Sequence, residues 1–234
     1  MELSLKKDEL LEYVRHQLNT FLPDGHDFVG GDVETAFSLA LDRTEFCFEK
    51  ITVRGYSIQI SEGRWQAKFS HLHSDQYSQF LYYLSNSLWR TSENVTLCSK
   101  LINLNKILNG MFYSFKGGLP DIFVFGHPVG TIIGNASYSD FLVIFQNVTI
   151  NTGTESGNGE DLKLGKGLFL AAGAKIIGNS PIGNRVSVGV DAVVNQQAIG
   201  DDCVVLKNDR GEVVVKPRKK STCMAQNYFN MPIQ

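Results

Sequence analysis

The chain has 234 residues, of which 43% are hydrophobic and 20% are charged, and its formal net charge at pH 7 is −2. This length and composition predict a globular protein with a sizeable core and room for two structural units. The near-neutral charge argues against a nucleic-acid partner, and no apolar stretch approaches the roughly 20 residues that a membrane span requires. The start of the chain lacks a secretory pattern and the four cysteines form no CxxC pair. We therefore expect a cytoplasmic protein with reduced thiols.

Residues 1–118 carry apolar side chains at helical spacing, which predicts a mainly helical N-terminal domain. Four helices are predicted, with starts near Ser4, Asp32, Ser74 and Ser92. Between the second and third helix, apolar and polar residues alternate on both sides of the turn SEGR, from Tyr56 to Phe69. This alternation predicts a β-hairpin.

A six-residue repeat organises the chain from Leu164 to Ala198. Its units begin with aliphatic residues: Leu164, Leu170, Ile176, Ile182, Val188 and Val194. Neither an α-helix nor an antiparallel sheet needs that period, so the repeat predicts a solenoid of short stacked strands. Ile133, Ile144 and Ile150 extend the pattern upstream. A β domain is predicted over 119–215, followed by a C-terminal tail over 216–234.

Two segments interrupt or follow the repeat. Residues 151–163 (NTGTESGNGEDLK) are polar, glycine-rich and acidic, which predicts a loop projecting from one corner of the solenoid, where insertions are tolerated. The tail carries a basic cluster of four side chains: Lys216, Arg218, Lys219 and Lys220. The cluster is interpreted either as a solvated tail or as a contact for a ligand phosphate.

Residues 119–200 resemble the hexapeptide-repeat acyltransferases, and among them the serine acetyltransferase branch. The resemblance is carried by FGHPVGTIIGNA, by FQNVTINTGTESGNGEDLK and by LAAGAKIIGN. It implies a left-handed parallel β-helix, and hence an α+β protein in which a mainly helical N-terminal domain with a β-hairpin precedes that β-helix. It also implies an acetyl-CoA-dependent acetyltransferase that acts on a small-molecule or glycan acceptor. A homotrimer with active sites between subunits and no bound metal is expected.

The same resemblance assigns roles to individual residues. His127 matches the general base that takes the proton from an acceptor hydroxyl, a task suited to an imidazole at hydrogen-bond distance. The pantetheine arm of CoA is placed against four residues, Gly153, Ala172, Gly173 and Ala174, and its nucleotide phosphates are placed beside Lys175 or the basic cluster of the tail. Backbone N–H groups of such small residues, including Ala171, can stabilise a thioester oxyanion.

Several positions depart from the serine acetyltransferase pattern. Asp161 stands where that family has a second histidine, and Glu160 replaces the arginine before it. Gly126 and Asn135 replace an aspartate and a glutamate, and Phe112 stands at an upstream aspartate position. Because an acidic pair repels a carboxylate, we expect Glu160 and Asp161 to bind a neutral, hydroxyl-rich acceptor. A sugar, glycan or nucleotide sugar of polysaccharide biosynthesis fits that description.

Alternatives stay open. The acceptor is serine itself, or an amino sugar whose ammonium group pairs with Asp161 or Glu160 in N-acetylation. In another class, the solenoid is a non-catalytic scaffold, although a scaffold has no need of His127, the loop and AAGAK together. A zinc hydratase on the same solenoid is disfavoured, because it needs three histidine ligands and only His127 of the five histidines lies in the repeat.

Overall fold

A computed structural model of the chain describes residues 1–151 and 162–234. It divides into two compact units, Met1–Lys116 and Gly117–Gln234. Three residues singled out above, Gly153, Glu160 and Asp161, lie outside the described residues.

The first unit combines four helices with a small three-stranded sheet. The helices are α1 (Lys7–Phe21), α2 (Gly31–Phe48), α3 (Ser74–Ser92) and α4 (Val95–Asn109). The strands are β1 (Glu2–Leu3), β2 (Ser57–Ser61) and β3 (Arg64–Phe69), with β3 pairing parallel to β1 and antiparallel to β2. Helix α3 is buried from Asp75 to Leu88, because α2 and α4 pack against it. The predicted four helices and hairpin are therefore present.

Three predicted helix starts differ from the observed ones because the serine or aspartate has another role. Ser4 precedes the helix and bonds the Nδ1 atom and the backbone N–H of His71, while α1 begins after Lys6. Helix α2 begins after Gly30, so the predicted cap Asp32 lies in its first turn. Ser92 ends α3, and α4 is capped instead by Asn94, whose side chain accepts the N–H of Leu97 at 3.0 Å.

The second unit is a solenoid with three faces of parallel strands. The first face contains β4 (Phe123–Gly126), β7 (Leu142–Phe145), β10 (Phe169–Leu170), β12 (Ser187–Val188) and β14 (Cys203–Lys207). The second contains β5 (Ile132–Ile133), β8 (Thr149–Ile150), β11 (Lys175–Ile177) and β13 (Val193–Asn195). The third contains β6 (Ser137–Tyr138) and β9 (Lys163–Leu164), continued by bridges from Leu164 to Ile182 and from Ile182 to Ile199.

The register confirms the six-residue repeat. Leu170 pairs with Val188, Ile176 with Val194 and Leu164 with Ile182, so a regular coil takes 18 residues over three faces. All six residues that lead the repeat units are at most 3% exposed, because they point into the shared core. A helical unit followed by a parallel β-solenoid is therefore confirmed, whereas the left-handed sense of the coil stays a prediction.

Each corner of the solenoid stacks residues with left-handed backbone. The corner after the first face, called corner 1, holds four of them in a column: Gly130 (φ 74°), Asn147 (φ 57°), Gly173 (φ 73°) and Asp191 (φ 54°). At Gly130 and Gly173 of this column, glycine is required for space as well as for φ. A Cβ on Gly173 would lie 2.1 Å from Oδ1 of Asp191, and one on Gly130 would lie 2.2 Å from Oδ1 of Asn147.

The C-terminal segment differs from the solvated tail expected from residue 216 onward. Strand β15 (Val213–Pro217) pairs antiparallel with β14, and a 3₁₀-helix follows at Met224–Tyr228. The ring of Tyr228 lies 6.0 Å from that of Phe145 and 5.8 Å from that of Phe169, and Phe229 is 3% exposed. The segment packs against the second unit because it buries aromatic side chains on the outside of the first face, which removes apolar surface from water.

Candidate functional site

His127 lies in an enlarged turn at corner 1. Phe125 pairs with Ile144, and Ile133 pairs with Ile150. The step from Phe125 to Ile133 in the first coil is therefore eight residues long, whereas the matching step from Ile144 to Ile150 in the next coil is six. Regular pairing runs to Gly126 and Phe145 and resumes where the N–H of Asn147 donates to the Val129 carbonyl at 2.9 Å. His127 and Pro128 are therefore the two additional residues. His127 is exposed and has a φ of 51°, which fits a side chain presented to solvent rather than to the core.

Thr131 holds this enlarged turn to the next coil. It is fully buried, its hydroxyl donates to the Phe145 carbonyl at 3.0 Å, and the same oxygen accepts the N–H of Val148 at 3.3 Å. The backbone pairing between the first two coils is interrupted at the turn that carries His127, and the side chain of Thr131 connects the two coils there.

Of the residues predicted to bind CoA, Ala172, Gly173 and Ala174 lie at the same corner, whereas Gly153 is outside the described residues. The backbone ladder connects Val129 to Asn147, Gln146 to Gly173 and Ala172 to Asp191, so Val129, Gln146 and Ala172 stack on successive coils. With strands about 4.8 Å apart, Ala172 lies about 10 Å from Val129 along the solenoid axis. The structure therefore brings His127 and the AAGAK segment to one corner, two coils apart.

The prediction that four backbone N–H groups serve as oxyanion donors is wrong for three of them. The N–H groups of Ala171, Gly173 and Ala174 donate to the carbonyls of Val188, Gln146 and Ala171 at 2.9, 2.9 and 3.0 Å. These N–H groups are not available to a ligand because they form the hydrogen bonds that hold the coils of the solenoid together. Within residues 1–151 and 162–234, the N–H of Ala172 has no acceptor, which leaves it as the donor of the four that can bind a ligand.

Two further polar groups face corner 1. The ammonium group of Lys175 donates to the Gly173 carbonyl at 3.0 Å, which places a positive charge beside the corner. The side-chain oxygen Oε1 of Gln146 is buried, and within the described part of the chain it has no hydrogen-bond partner. Gln146 entered the sequence analysis only as part of a motif. Its orphaned acceptor marks it as a group that a ligand N–H or O–H can satisfy.

The predicted acceptor-binding residues are connected to another corner. The chain leaves the second face at Ile150 and returns on the third face at Lys163. Lys163 pairs with Ser137, 26 residues earlier, which is eight more than one regular coil. The segment that contains Glu160 and Asp161 is thus inserted one face beyond the corner of His127, and its own structure lies outside the described residues.

The positions that depart from the serine acetyltransferase pattern have defined surroundings. A Cβ on Gly126 would lie 3.0 Å from the ring of Phe145, so an aspartate there would displace an aromatic side chain. Asn135 is exposed, and its carbonyl accepts from the side chain of Asn151 at 2.9 Å. In the first unit, Phe112 is 46% exposed. These positions supply no carboxylate.

Two absences concern only the part of the chain that the structure describes. No group of three or more histidine, cysteine, aspartate or glutamate side chains there has a geometry suited to a metal ion. No helix there combines the length and the apolar character that crossing a bilayer requires.

Comparisons with known proteins identify one group of relatives. No protein-family model matches the chain. It is 30% identical over 121 residues to the serine acetyltransferase of Synechococcus elongatus, which covers 50% of this chain and 49% of that protein. The chain thus spans about half the length of this curated relative.

Solved structures of serine acetyltransferases share the fold. That of the Brucella abortus enzyme matches with a TM-score of 0.65 at 16% identity, covering 93% of this chain and 86% of the other. A serine acetyltransferase in complex with CoA matches with a TM-score of 0.50 at 20% identity, covering 60% of this chain and 57% of the other. The resemblance to the serine acetyltransferase branch of the hexapeptide-repeat acyltransferases is confirmed.

Proposed function

We propose that this chain is an acetyl-CoA-dependent O-acetyltransferase in which His127 is the general base. The observation that carries the proposal is the two-residue enlargement of corner 1, which presents His127 at the corner that also carries the N–H of Ala172. The serine acetyltransferase relatives support the choice of reaction.

The proposed reaction is direct acyl transfer. The imidazole of His127 accepts the proton of the acceptor hydroxyl while the hydroxyl oxygen attacks the thioester carbon of acetyl-CoA. The N–H of Ala172 donates to the oxyanion of the tetrahedral intermediate. Collapse of that intermediate breaks the C–S bond and releases CoA, whose thiolate takes the proton from the imidazolium. The product is the O-acetylated acceptor, and no metal takes part.

L-Serine is the acceptor that the relatives support best, and it replaces a sugar as the first candidate. A neutral hydroxyl compound, such as a sugar, stays the second candidate because of one specific observation. The space beside His127 that an aspartate at position 126 would enter is taken by the ring of Phe145, and Asn135 is an amide rather than a carboxylate. Polysaccharide biosynthesis, expected from the sequence, has no support among the relatives.

We further propose a left-handed coil and a homotrimer whose active sites lie between subunits. Within one chain, His127 lies at corner 1, whereas the segment with Gly153, Glu160 and Asp161 is inserted at the corner between the second and third faces. A neighbouring subunit that packs its insertion beside corner 1 would complete the acceptor site. Light scattering and chemical cross-linking of the purified chain test this assembly.

A thiol-release assay tests the reaction. The purified chain is incubated with acetyl-CoA and, separately, L-serine, simple sugars, amino sugars and nucleotide sugars, and free CoA is measured. Release with one acceptor is expected to fall about 10²- to 10⁴-fold in His127→Ala. His16→Ala is the matched control, because His16 is exposed on α1 in the first unit. Equal rates in the two variants would refute the role of His127, and silence with every acceptor would favour the scaffold.

A further inference from the structure

A cavity lies on the outside of the first face, away from corner 1. It has a volume of about 310 Å³, near the lower end of the range for small-molecule sites. Its floor is Ser187 with Val204 and Leu206, and its wall is the segment from Lys216 to Met224. The segment that the sequence predicts as a tail thus closes a pocket, and all the lining residues belong to the second unit.

Two buried polar atoms in this pocket lack partners. Ser187 is 3% exposed, and its hydroxyl has no hydrogen bond within the described residues. The Nε atom of Arg218 is likewise buried without a partner there, although the other two nitrogens of the guanidinium bond Asp202 and the Lys220 carbonyl. A buried donor without an acceptor is destabilising, so two of them in one cavity indicate a group that binds there.

The charge of the pocket is strongly positive. Lys216, Lys219 and Lys220 are exposed at its rim, and none of the three forms an ion pair with any residue that the structure describes. Arg218 is partly neutralised by Asp202, with which it forms a salt bridge. Three lysines without an ion pair in the described part of the chain, a guanidinium N–H and a hydroxyl therefore belong to the lining of one cavity. This set suits a dianion with several acceptor oxygens better than a singly charged carboxylate.

The rest of the lining is apolar. Val204, Leu206, Pro217 and Met224 contribute hydrocarbon surface beside the cationic rim. A free inorganic ion would leave this surface uncovered, whereas a phosphate attached to an organic body would cover it.

We propose that the pocket between Ser187 and the segment 216–224 binds a phosphomonoester, with Lys219, Lys220, the Arg218 Nε–H and the Ser187 hydroxyl as donors. Two sources share this chemistry. One is the nucleotide end of CoA, which carries a phosphomonoester on its ribose, and this source rests on the proposed function. The other is a separate phosphorylated metabolite. Ser187 pairs with Phe169, which is three residues before Ala172, so the pocket lies about 10 Å along the face from corner 1.

Binding of inorganic phosphate to the full chain is the primary test, measured by isothermal titration calorimetry in a phosphate-free, low-salt buffer. Lys219→Gln/Lys220→Gln is expected to weaken phosphate binding at least tenfold, because two charge-assisted donors are lost. The matched control is Lys207→Gln/Arg210→Gln, which removes the same charge at the far end of the β14–β15 hairpin. An equal loss in both variants, or none in either, would overturn the proposal.

Ser187→Ala separates a ligand role from a structural one. The substitution removes a buried hydroxyl that has no partner, so the free protein is expected to melt at the same temperature or higher. Phosphate affinity is expected to fall about threefold to tenfold in the same variant. A variant that binds phosphate as tightly as the parent chain would show that Ser187 is not a donor and would contradict the proposed site.

CoA and 3′-dephospho-CoA identify the source. If the ribose phosphate of CoA occupies the pocket, Lys219→Gln/Lys220→Gln weakens binding of CoA and leaves 3′-dephospho-CoA unaffected. The other outcome is that CoA and 3′-dephospho-CoA each bind the parent chain and the double variant with equal affinity, while the variant still binds inorganic phosphate more weakly. The occupant is then a separate phosphorylated compound. The phosphate-binding test does not depend on acetyl transfer. It therefore still decides whether the phosphate site exists if the chain proves not to be an acetyltransferase.

Discussion

Replacing Gly173 by alanine tests whether corner 1 requires glycine for space as well as for backbone conformation. At a φ of 73°, an alanine is expected to be strained by about 1–2 kcal/mol. The new Cβ would also lie 2.1 Å from Oδ1 of Asp191, so the next coil must move, which adds about 1–3 kcal/mol. The expected total of about 2–5 kcal/mol corresponds to a melting temperature lower by roughly 5–15 °C in a chain of this size.

Calorimetric melting of four variants separates the strain of the backbone from the contact with Asp191. Gly211→Ala is the matched control, because Gly211 has a φ of 81° in the same unit and the nearest atom to its added Cβ is Lys207 Cε at 3.7 Å. It is expected to show only the backbone strain. Gly173→Ala/Asp191→Gly is expected to recover the part due to the contact, when measured against Asp191→Gly alone. The reasoning is refuted if Gly173→Ala melts no lower than Gly211→Ala.

Two more predictions follow from named contacts. Hydrogen bonds from Arg185, and to a smaller extent from Arg218, hold the pKa of Asp202 well below its ordinary value. The ionised carboxylate therefore stabilises the fold fully above about pH 4, and this stabilisation is lost as the pH falls further. Urea unfolding from pH 7 to pH 3 is expected to show a smaller acid loss in Asp202→Asn than in Asp209→Asn, and equal losses would contradict the assignment. Thr131→Val leaves the Val148 N–H and one acceptor site of the Phe145 carbonyl unpaired, and should lower the free energy of unfolding by about 1–3 kcal/mol. If Thr131 also positions His127, acetyl-transfer kcat falls while the KM for acetyl-CoA is unchanged, whereas Thr131→Ser retains both.

The regular part of the solenoid could be predicted from the sequence because its signal is strictly local. The regular coils bury one aliphatic residue per face, so the spacing of Leu170, Ile176 and Ile182 along the sequence already indicates that they are buried. The helical unit was predictable for a similar reason. Its helix starts were less so, because Ser4 can cap a helix or bond a distant histidine, and only the tertiary contact with His71 decides between them.

The state of the individual backbone groups at the site could not be predicted. Ala171, Gly173 and Ala174 are small residues in a promising motif, yet their N–H groups close the coils, and only the register reveals this. The covering role of the C-terminal segment was missed for a related reason. Tyr228 lies more than 80 residues from Phe145 along the chain, and nothing in the local composition of the segment indicates which surface it covers.

In a solenoid whose regular coil has 18 residues, the places where residues are added indicate where functional groups can lie. The core positions are fixed by stacking, so an added residue must appear at a corner or an end, where it costs no core contact. Among the departures of this chain from the 18-residue period, three concern the proposed roles. Two residues are added at His127 and Pro128, eight are added between Ile150 and Lys163, and the last strand β15 runs antiparallel under a cationic segment. Each departure carries one of the proposed roles, namely the base, the acceptor contacts and the phosphate site. The regular coils between them fix the spacing at which these groups act.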